Sequence, residues 1–407
     1  MHPRELPIKP LRRAKAVVLA AAAALTVLGI LFVHSTTAAG DAFPSQSARG
    51  QIIKALVGFL GLALAFRIDY RRIEKRAYAI YGLLAFVLAG MLAVKAAAGG
   101  FNRFISLYAF QIQPSEMMKL GLILALSRYL MFREDQRRVT GLVGPFLITL
   151  IPMALVLLQP NLGLSLMFPP VLLGMLFVAG AKPRHLAAAV LAVMVLVPAA
   201  YFLSSYFPLL HDYQRRRLES FVVRGPETAR SLGYQLEQSI IAVSSGGPAG
   251  RGYGEGTQNL LDHLPEKHTD FIFSIICEEL GFAGGIGVVA LYVLLVWGLL
   301  RVAVYTREPF GRLVTTGIAV SFAAQAFENI GMTLGLTPIT GIALPFVSLA
   351  GSNLVMSLTA VGMALGIASR PVRVVATRDL SPQDRVRFHR VVEDKPAGLL
   401  ASRWAEE

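Results

Sequence analysis

The segment His263-Leu264-Pro265-Glu266-Lys267-His268-Thr269-Asp270-Phe271-Ile272-Phe273 runs from a polar loop into an apolar block and leaves Asp270 on the boundary between them. Partial desolvation at such a boundary disfavours the charged carboxylate and suits a general base working near neutral pH. An aspartate in the same place also suits the N-cap of the helix that follows. His263, Glu266, His268 and Asp270 are of metal-ligand type, but their spacing matches no standard closed or catalytic site. A loosely held Mg²⁺ or another divalent cation, bridging substrate phosphates, is easier to reconcile with them.

A second centre is Gln113-Pro114-Ser115-Glu116-Met117-Met118-Lys119. Ser115 can cap the helix that opens after Pro114, and Glu116 and Lys119, three residues apart, share one helical face. They can form an ion pair pointing into a helix bundle, or act as a dipole-complementing carboxylate within a structural salt bridge. Arg103, Arg215, Arg216 and Arg217 add guanidinium groups, which bind phosphate bidentately, and are candidate clamps for a lipid pyrophosphate. Attraction to phospholipid headgroups explains each of them singly as well. The glycine-rich run from Gly246 to Gly256 has nucleotide-loop spacing, but no strand precedes it and no Gly-Lys-Ser/Thr follows. It reads instead as backbone bending tightly over a membrane-surface groove.

The scaffold that must position these groups is set by hydropathy. Of 407 residues, 55% are hydrophobic and only 16% charged, more apolar than a soluble core can use. The mean hydropathy is +0.58. Apolar residues arrive in blocks of roughly 17 to 25, the length of a helix that crosses a hydrocarbon layer about 30 Å thick. The blocks predict an all-α polytopic membrane protein of about ten transmembrane helices, at 16–34, 51–66, 77–95, 115–132, 142–158, 162–180, 185–204, 270–300, 312–335 and 353–369. The first resembles a cleavable signal peptide but its apolar run is too long, so it reads as an uncleaved helix.

The net charge of +14 does not call for nucleic acid, because Lys and Arg cluster in short segments between apolar blocks and in the tail. Residues 1–15 in the cytoplasm, a ten-helix domain over 16–370 and a cytoplasmic tail over 371–407 satisfy the positive-inside rule at every short loop. The long segment 205–269, between the seventh and eighth helices, then lies outside; a loop of that length translocates regardless of its arginines. The single cysteine, Cys277, allows no intrachain disulfide.

The motifs resemble the SEDS family of RodA, FtsW and SpoVE proteins, and Gly254-Glu255-Gly256-Thr257-Gln258 looks most like its RodA branch. The matching motifs are Gln113-Pro114-Ser115-Glu116 with Lys119, Gln159-Pro160-Asn161-Leu162-Gly163, Gly233-Tyr234-Gln235 with Gln238-Ser239, Leu264 to Phe273 with Glu278-Glu279-Leu280-Gly281, Asn329-Ile330-Gly331-Met332 and Pro338 to Ser348. The resemblance implies a peptidoglycan glycosyltransferase that polymerises lipid II at the outer face of the cytoplasmic (inner) membrane. It also implies undecaprenyl-pyrophosphate-linked glycan as donor and a class B penicillin-binding protein as transpeptidase partner. Asp270 matches the family's leading catalytic residue, and Glu116 and Lys119 match its functional pair, expected to bind substrate by shaping the cavity in which the lipid-linked sugar lies against the fourth helix. His268 and Ser348, inside matched motifs, join Arg103, Arg215 and Arg216 as expected substrate contacts. Asn161, Phe104 and Leu349-Ala350 stand where the family usually has Asp, Trp and Tyr-Gly. A lipid II flippase, which needs no base, is the rival expectation, and a scaffold that only recruits the partner is a third.

Overall fold

The computed structural model describes residues 8–37, 43–98, 104–107, 110–133, 135–159, 161–203, 232–261 and 264–370. In chain order the helices are α1 (Ile8–Thr37), α2 (Gln46–Arg67), α3 (Tyr70–Ala98), α4 (Pro114–Leu130), α5 (Val143–Leu158), α6 (Leu162–Leu166), α7 (Phe168–Val178) and α8 (Pro183–Leu203). Then come α9 (Leu232–Ser245), α10 (Thr257–Leu260), α11 (Ile272–Tyr305), α12 (Pro309–Thr333) and α13 (Gly351–Ser369). Among the described residues the only sheet is an antiparallel hairpin of β1 (Ile105–Leu107) and β2 (Phe110–Ile112), with Ile105 opposite Ile112.

Each of the ten expected spans falls mainly on helix, and among the described residues six helices are long and apolar enough to cross a membrane: α1, α2, α3, the stretch Val139–Leu158, α11 and α13. The protein is a multi-pass membrane protein. Large apolar side chains such as Leu83, Phe86 and Val304 face outward, as a lipid solvent permits. Three boundaries depart from the sequence expectation. The first helix begins at Ile8 rather than residue 16. The sixth span breaks between α6 and α7, where Pro169 and Pro170 supply no N–H to continue the ladder. Gln113, not Ser115, is the N-cap of α4, with Pro114 in the first turn.

The centre of the bundle is α4, α12, α13 and the first turns of α11. Within the spanning windows, 78% of α13 is buried inside the protein against 11% of α3, so α13 is central and α3 faces lipid. α13 lies against α2 through small residues. A Cβ on Gly362 would meet Leu62 O at 2.2 Å, and one on Gly366 would meet Phe66 O at 3.0 Å. Such spacing lets helices approach where apolar transfer gives no driving force between them. At the end of α12 far from Asp270, Arg71 pairs with Glu308 at 2.6 Å and Tyr70 donates to the same carboxylate, tying α3 to the start of α12.

α11 is broken at Gly281, which has φ 69° and ψ −164°. The glycine-rich run closes the break with its own backbone. Arg251 and Gly252 donate to the carbonyls of Glu278 and Glu279, each at 3.1 Å, and Phe282 and Ala283 donate to Gly247 O at 2.8 Å and Pro248 O at 3.2 Å. These are the groups a continuous helix would have paired with one another, so the loop restores what the break removes.

Candidate functional site

Asp270 sits in a turn whose backbone is held from Glu266 O and at the carbonyls of residues 268 to 270. Leu264 is fully buried at one end, and Phe271 and Ile272 at the other. Glu266 adopts φ 55°, an uncommon conformation for a residue with a side chain. Its carbonyl accepts the N–H groups of Thr269 and Asp270 at 3.1 Å and of Phe271 at 3.3 Å. The carbonyls of the turn are held from α12 and the α12–α13 loop. His268 O accepts from Leu349 N at 2.9 Å, Thr269 O from Ser348 Oγ at 2.5 Å, and Asp270 O from Asn329 Nδ2 at 2.8 Å.

Phe346, at φ 68°, is the other non-glycine residue with positive φ among the described residues, and it lies in the loop that supplies Ser348 and Leu349. Strained backbone of this kind persists only where its surroundings over-determine it. The N-cap of α11 is Phe271, with no side-chain cap bond, so capping is not the role of Asp270. The Asp270 side chain is partly exposed, and the fixed backbone sets the place of its carboxylate.

The second expected centre is buried in the bundle. Lys119 Nζ lies 2.7 Å from Glu116 Oε2, with both side chains less than a tenth exposed. Lys119 also donates to Gln325 Oε1 at 2.8 Å. Asn353 Nδ2 donates to Gln325 Oε1 at 3.1 Å and to the Glu116 carboxylate at 3.3 Å. A buried ion pair with further hydrogen bonds to both partners, here from Asn353 to Glu116 and from Lys119 to Gln325, is the form that low dielectric tolerates. Glu116, Lys119, Gln325 and Ser357 line a crevice of about 20 Å³, room for roughly one water molecule and too small for a sugar in this conformation.

α12 joins the two centres. Gln325 and Asn329 lie one turn apart on one face, about 6 Å between Cβ atoms, the first bonded to Lys119 and the second to the Asp270 carbonyl. Gln325 and Asn353 are site residues that the motifs did not single out. The sequence signal for Gln325 was available: Ser321, Gln325 and Asn329 form a polar i, i+4 stripe along one face of a largely apolar helix.

The hydroxyl of Ser348 is committed to the frame, since it also accepts from Leu344 N at 2.9 Å. His268 is partly exposed beside Asp270. Asn161 caps α6, accepting from Leu164 N at 3.3 Å, a role that needs hydrogen bonding and no charge. Arg103, Arg215, Arg216, Arg217 and His263, with the tail 371–407, lie outside the described residues. Among the described residues no three His, Cys, Asp or Glu side chains come together to hold a metal ion, so no chemical step is routed through one here.

The family model of FtsW, RodA and SpoVE, described as "Cell cycle protein", matches residues 15–371. The chain belongs to the FtsW/RodA/SpoVE family. A probable peptidoglycan glycosyltransferase FtsW of Geobacter metallireducens is 37% identical over 380 residues, covering 90% of this chain and 97% of that protein. The peptidoglycan glycosyltransferase MrdB of Escherichia coli K12 is 33% identical over 356 residues, covering 84% of this chain and 92% of MrdB. Similarity to FtsW and to RodA-like MrdB shows the family without choosing between its branches.

The fold also matches a chain of a solved peptidoglycan synthase complex that coordinates polymerization and crosslinking, with TM-score 0.72 and 31% identity over 86% of this chain and 96% of that one. Rod shape determining protein RodA of Thermus thermophilus matches with TM-score 0.62 and 28% identity, over 86% of this chain and 95% of RodA. For a member of the FtsW/RodA/SpoVE family, the pinned Asp270 turn and the buried Glu116–Lys119 pair are therefore the two centres to be explained together.

Proposed function

We propose that this chain is a peptidoglycan glycosyltransferase that polymerises lipid II at the outer face of the cytoplasmic membrane, with Asp270 as the base. The observation that carries the reading is a partly exposed carboxylate on a backbone fixed at three successive carbonyls, one of them held by Asn329, which lies one turn along α12 from the Gln325 that bonds the buried ion pair. The relatives' names supply the reaction class. The donor glycan is α-linked to undecaprenyl pyrophosphate and the product link is β-1,4, so the donor carbon inverts. Asp270 takes the proton of the acceptor 4-hydroxyl as the new C–O bond forms, while the bond to pyrophosphate breaks on the opposite face. The leaving pyrophosphate needs positive charge, and in this reading Arg103, Arg215 and Arg216 supply it. Glu116 and Lys119 set the spacing of α4 against α12 and α13 behind the reacting groups.

Both termini lie in the cytoplasm in this reading, and a class B penicillin-binding protein crosslinks the product strands during elongation or division. The membrane-embedded ion pair also suits a lipid II flippase. Liposome assays separate the two, because a translocator moves lipid II without forming glycan. Asp270→Asn in purified protein should abolish polymerisation of labelled lipid II while leaving the unfolding temperature unchanged. Full activity in that variant would remove Asp270 as base.

A further inference from the structure

Glu278 and Glu279 are adjacent carboxylates at the break of α11, 0% and 1% exposed, and the mechanism above uses neither. Glu278 Oε1 accepts from Thr257 Oγ1 at 3.0 Å and Gln258 N at 2.9 Å, both in α10. Glu279 gathers three separate segments. Its Oε1 accepts from Ser35 Oγ of α1 at 2.5 Å and from Asn259 Nδ2 of α10 at 2.9 Å, and its Oε2 accepts from Gly254 N of the glycine-rich run at 3.0 Å. The carbonyl of Asn259 in turn accepts from Lys267 Nζ at 2.6 Å. Lys267 follows Glu266, whose carbonyl collects the N–H groups of the Asp270 turn.

We propose that Glu279 is a positioning residue for Asp270, acting through Asn259 and Lys267. The inference rests on the assignment of Asp270 as base. The turn is anchored to α12 and the α12–α13 loop through the carbonyls of residues 268 to 270. Those bonds leave its opposite limb to be fixed from elsewhere, and Lys267 fixes it. α10 has four residues, too few to hold a helix alone, so the place of its carbonyls is set by what grips its side chains. Glu279 grips Asn259 with a charge-assisted bond and is itself held by two further donors, which makes Asn259 a rigid post for the Lys267 ammonium.

The test measures kcat and KM for lipid II polymerisation by the full chain carrying Glu279→Gln, Lys267→Met, Lys267→Arg or the double substitution E279Q/K267M, with D270N as reference. Misplacement of a reacting group by a fraction of an ångström to an ångström costs up to about a hundredfold in rate. K267M and E279Q are therefore expected to lower kcat about tenfold or more with KM within about twofold, K267R to restore most of the rate, and the double variant to be no slower than the slower single one. Wild-type kcat in K267M, a loss confined to KM, multiplying losses in the double variant, or no rescue by K267R would each overturn the proposal. Should E279Q fail to fold, the partly exposed Lys267 pair of variants decides alone. An active D270N removes the base assignment and this inference with it, whereas an inactive D270N beside a fully active K267M overturns the positioning role only.

Discussion

Asn329 is fully buried and commits its amide group to two carbonyls, Asp270 O at 2.8 Å and Ile342 O at 2.7 Å. Replacing it with alanine takes the amide from the buried Ile342 carbonyl, at a cost of about 1–3 kcal/mol, and from the partly buried Asp270 carbonyl. Asn329→Ala should accordingly lower the unfolding temperature in detergent and reduce polymerisation together; unchanged stability would show that water replaces the amide. The Glu116–Lys119 pair makes a sharper case. Breaking a buried pair by removing one partner costs about 3–5 kcal/mol, because a charge is stranded, whereas removing both costs less. Glu116→Gln or Lys119→Met should therefore destabilise more than the two combined, as read by thermal unfolding. Equal and additive losses would mean that the charges do not compensate each other. This pair was legible in the sequence because i, i+3 spacing is local. The N-cap reading of Asp270 was also local, and failed because the Glu266 turn delays the helix to Ile272, with Phe271 as cap.

The break in α11 shows what one residue demands of an element. A Cβ on Gly281 would lie 2.3 Å from Gly250 N and 2.7 Å from backbone atoms of Ala249, and φ 69° disfavours any other residue. Gly281→Ala should lose about 1–3 kcal/mol from backbone strain alone and loosen the glycine-rich loop, so that trypsin cuts faster after the already exposed Arg251. Gly287→Ala, six residues on in the same helix with nothing within 4 Å of the added carbon, should stay within about 1 kcal/mol of the parent. Equal behaviour of the two variants would refute the clasp. The glycine-rich run was read as bent backbone over a groove; what it bends over is the gap in α11, which no periodicity signals because Glu278-Glu279-Leu280-Gly281 is as compatible with a continuous helix as with a broken one.

For the protein in its membrane, the orientation proposed from the placement of Lys and Arg is made testable by the single cysteine. Cys277 is 5% exposed, so a cysteine added at a surface position should be the one that reacts. Glu255→Cys, in the glycine-rich run, should react with a membrane-impermeant maleimide in intact spheroplasts, and Arg312→Cys, at the start of α12, only after permeabilisation. The reverse pattern would invert the topology and place Asp270 on the wrong side for exported substrate. The ten apolar blocks, the basic segments between them and the Glu116–Lys119 spacing were all readable along the chain, because hydropathy, charge and helical periodicity are properties of neighbouring residues. Lys119 meeting Gln325, Glu279 reaching Ser35 and Asn329 holding the carbonyl of Asp270 were not, because these partners lie 206, 244 and 59 positions apart. Buried polar groups must be satisfied, but which donor arrives is settled by how the helices pack, and packing is a property of the assembled bundle.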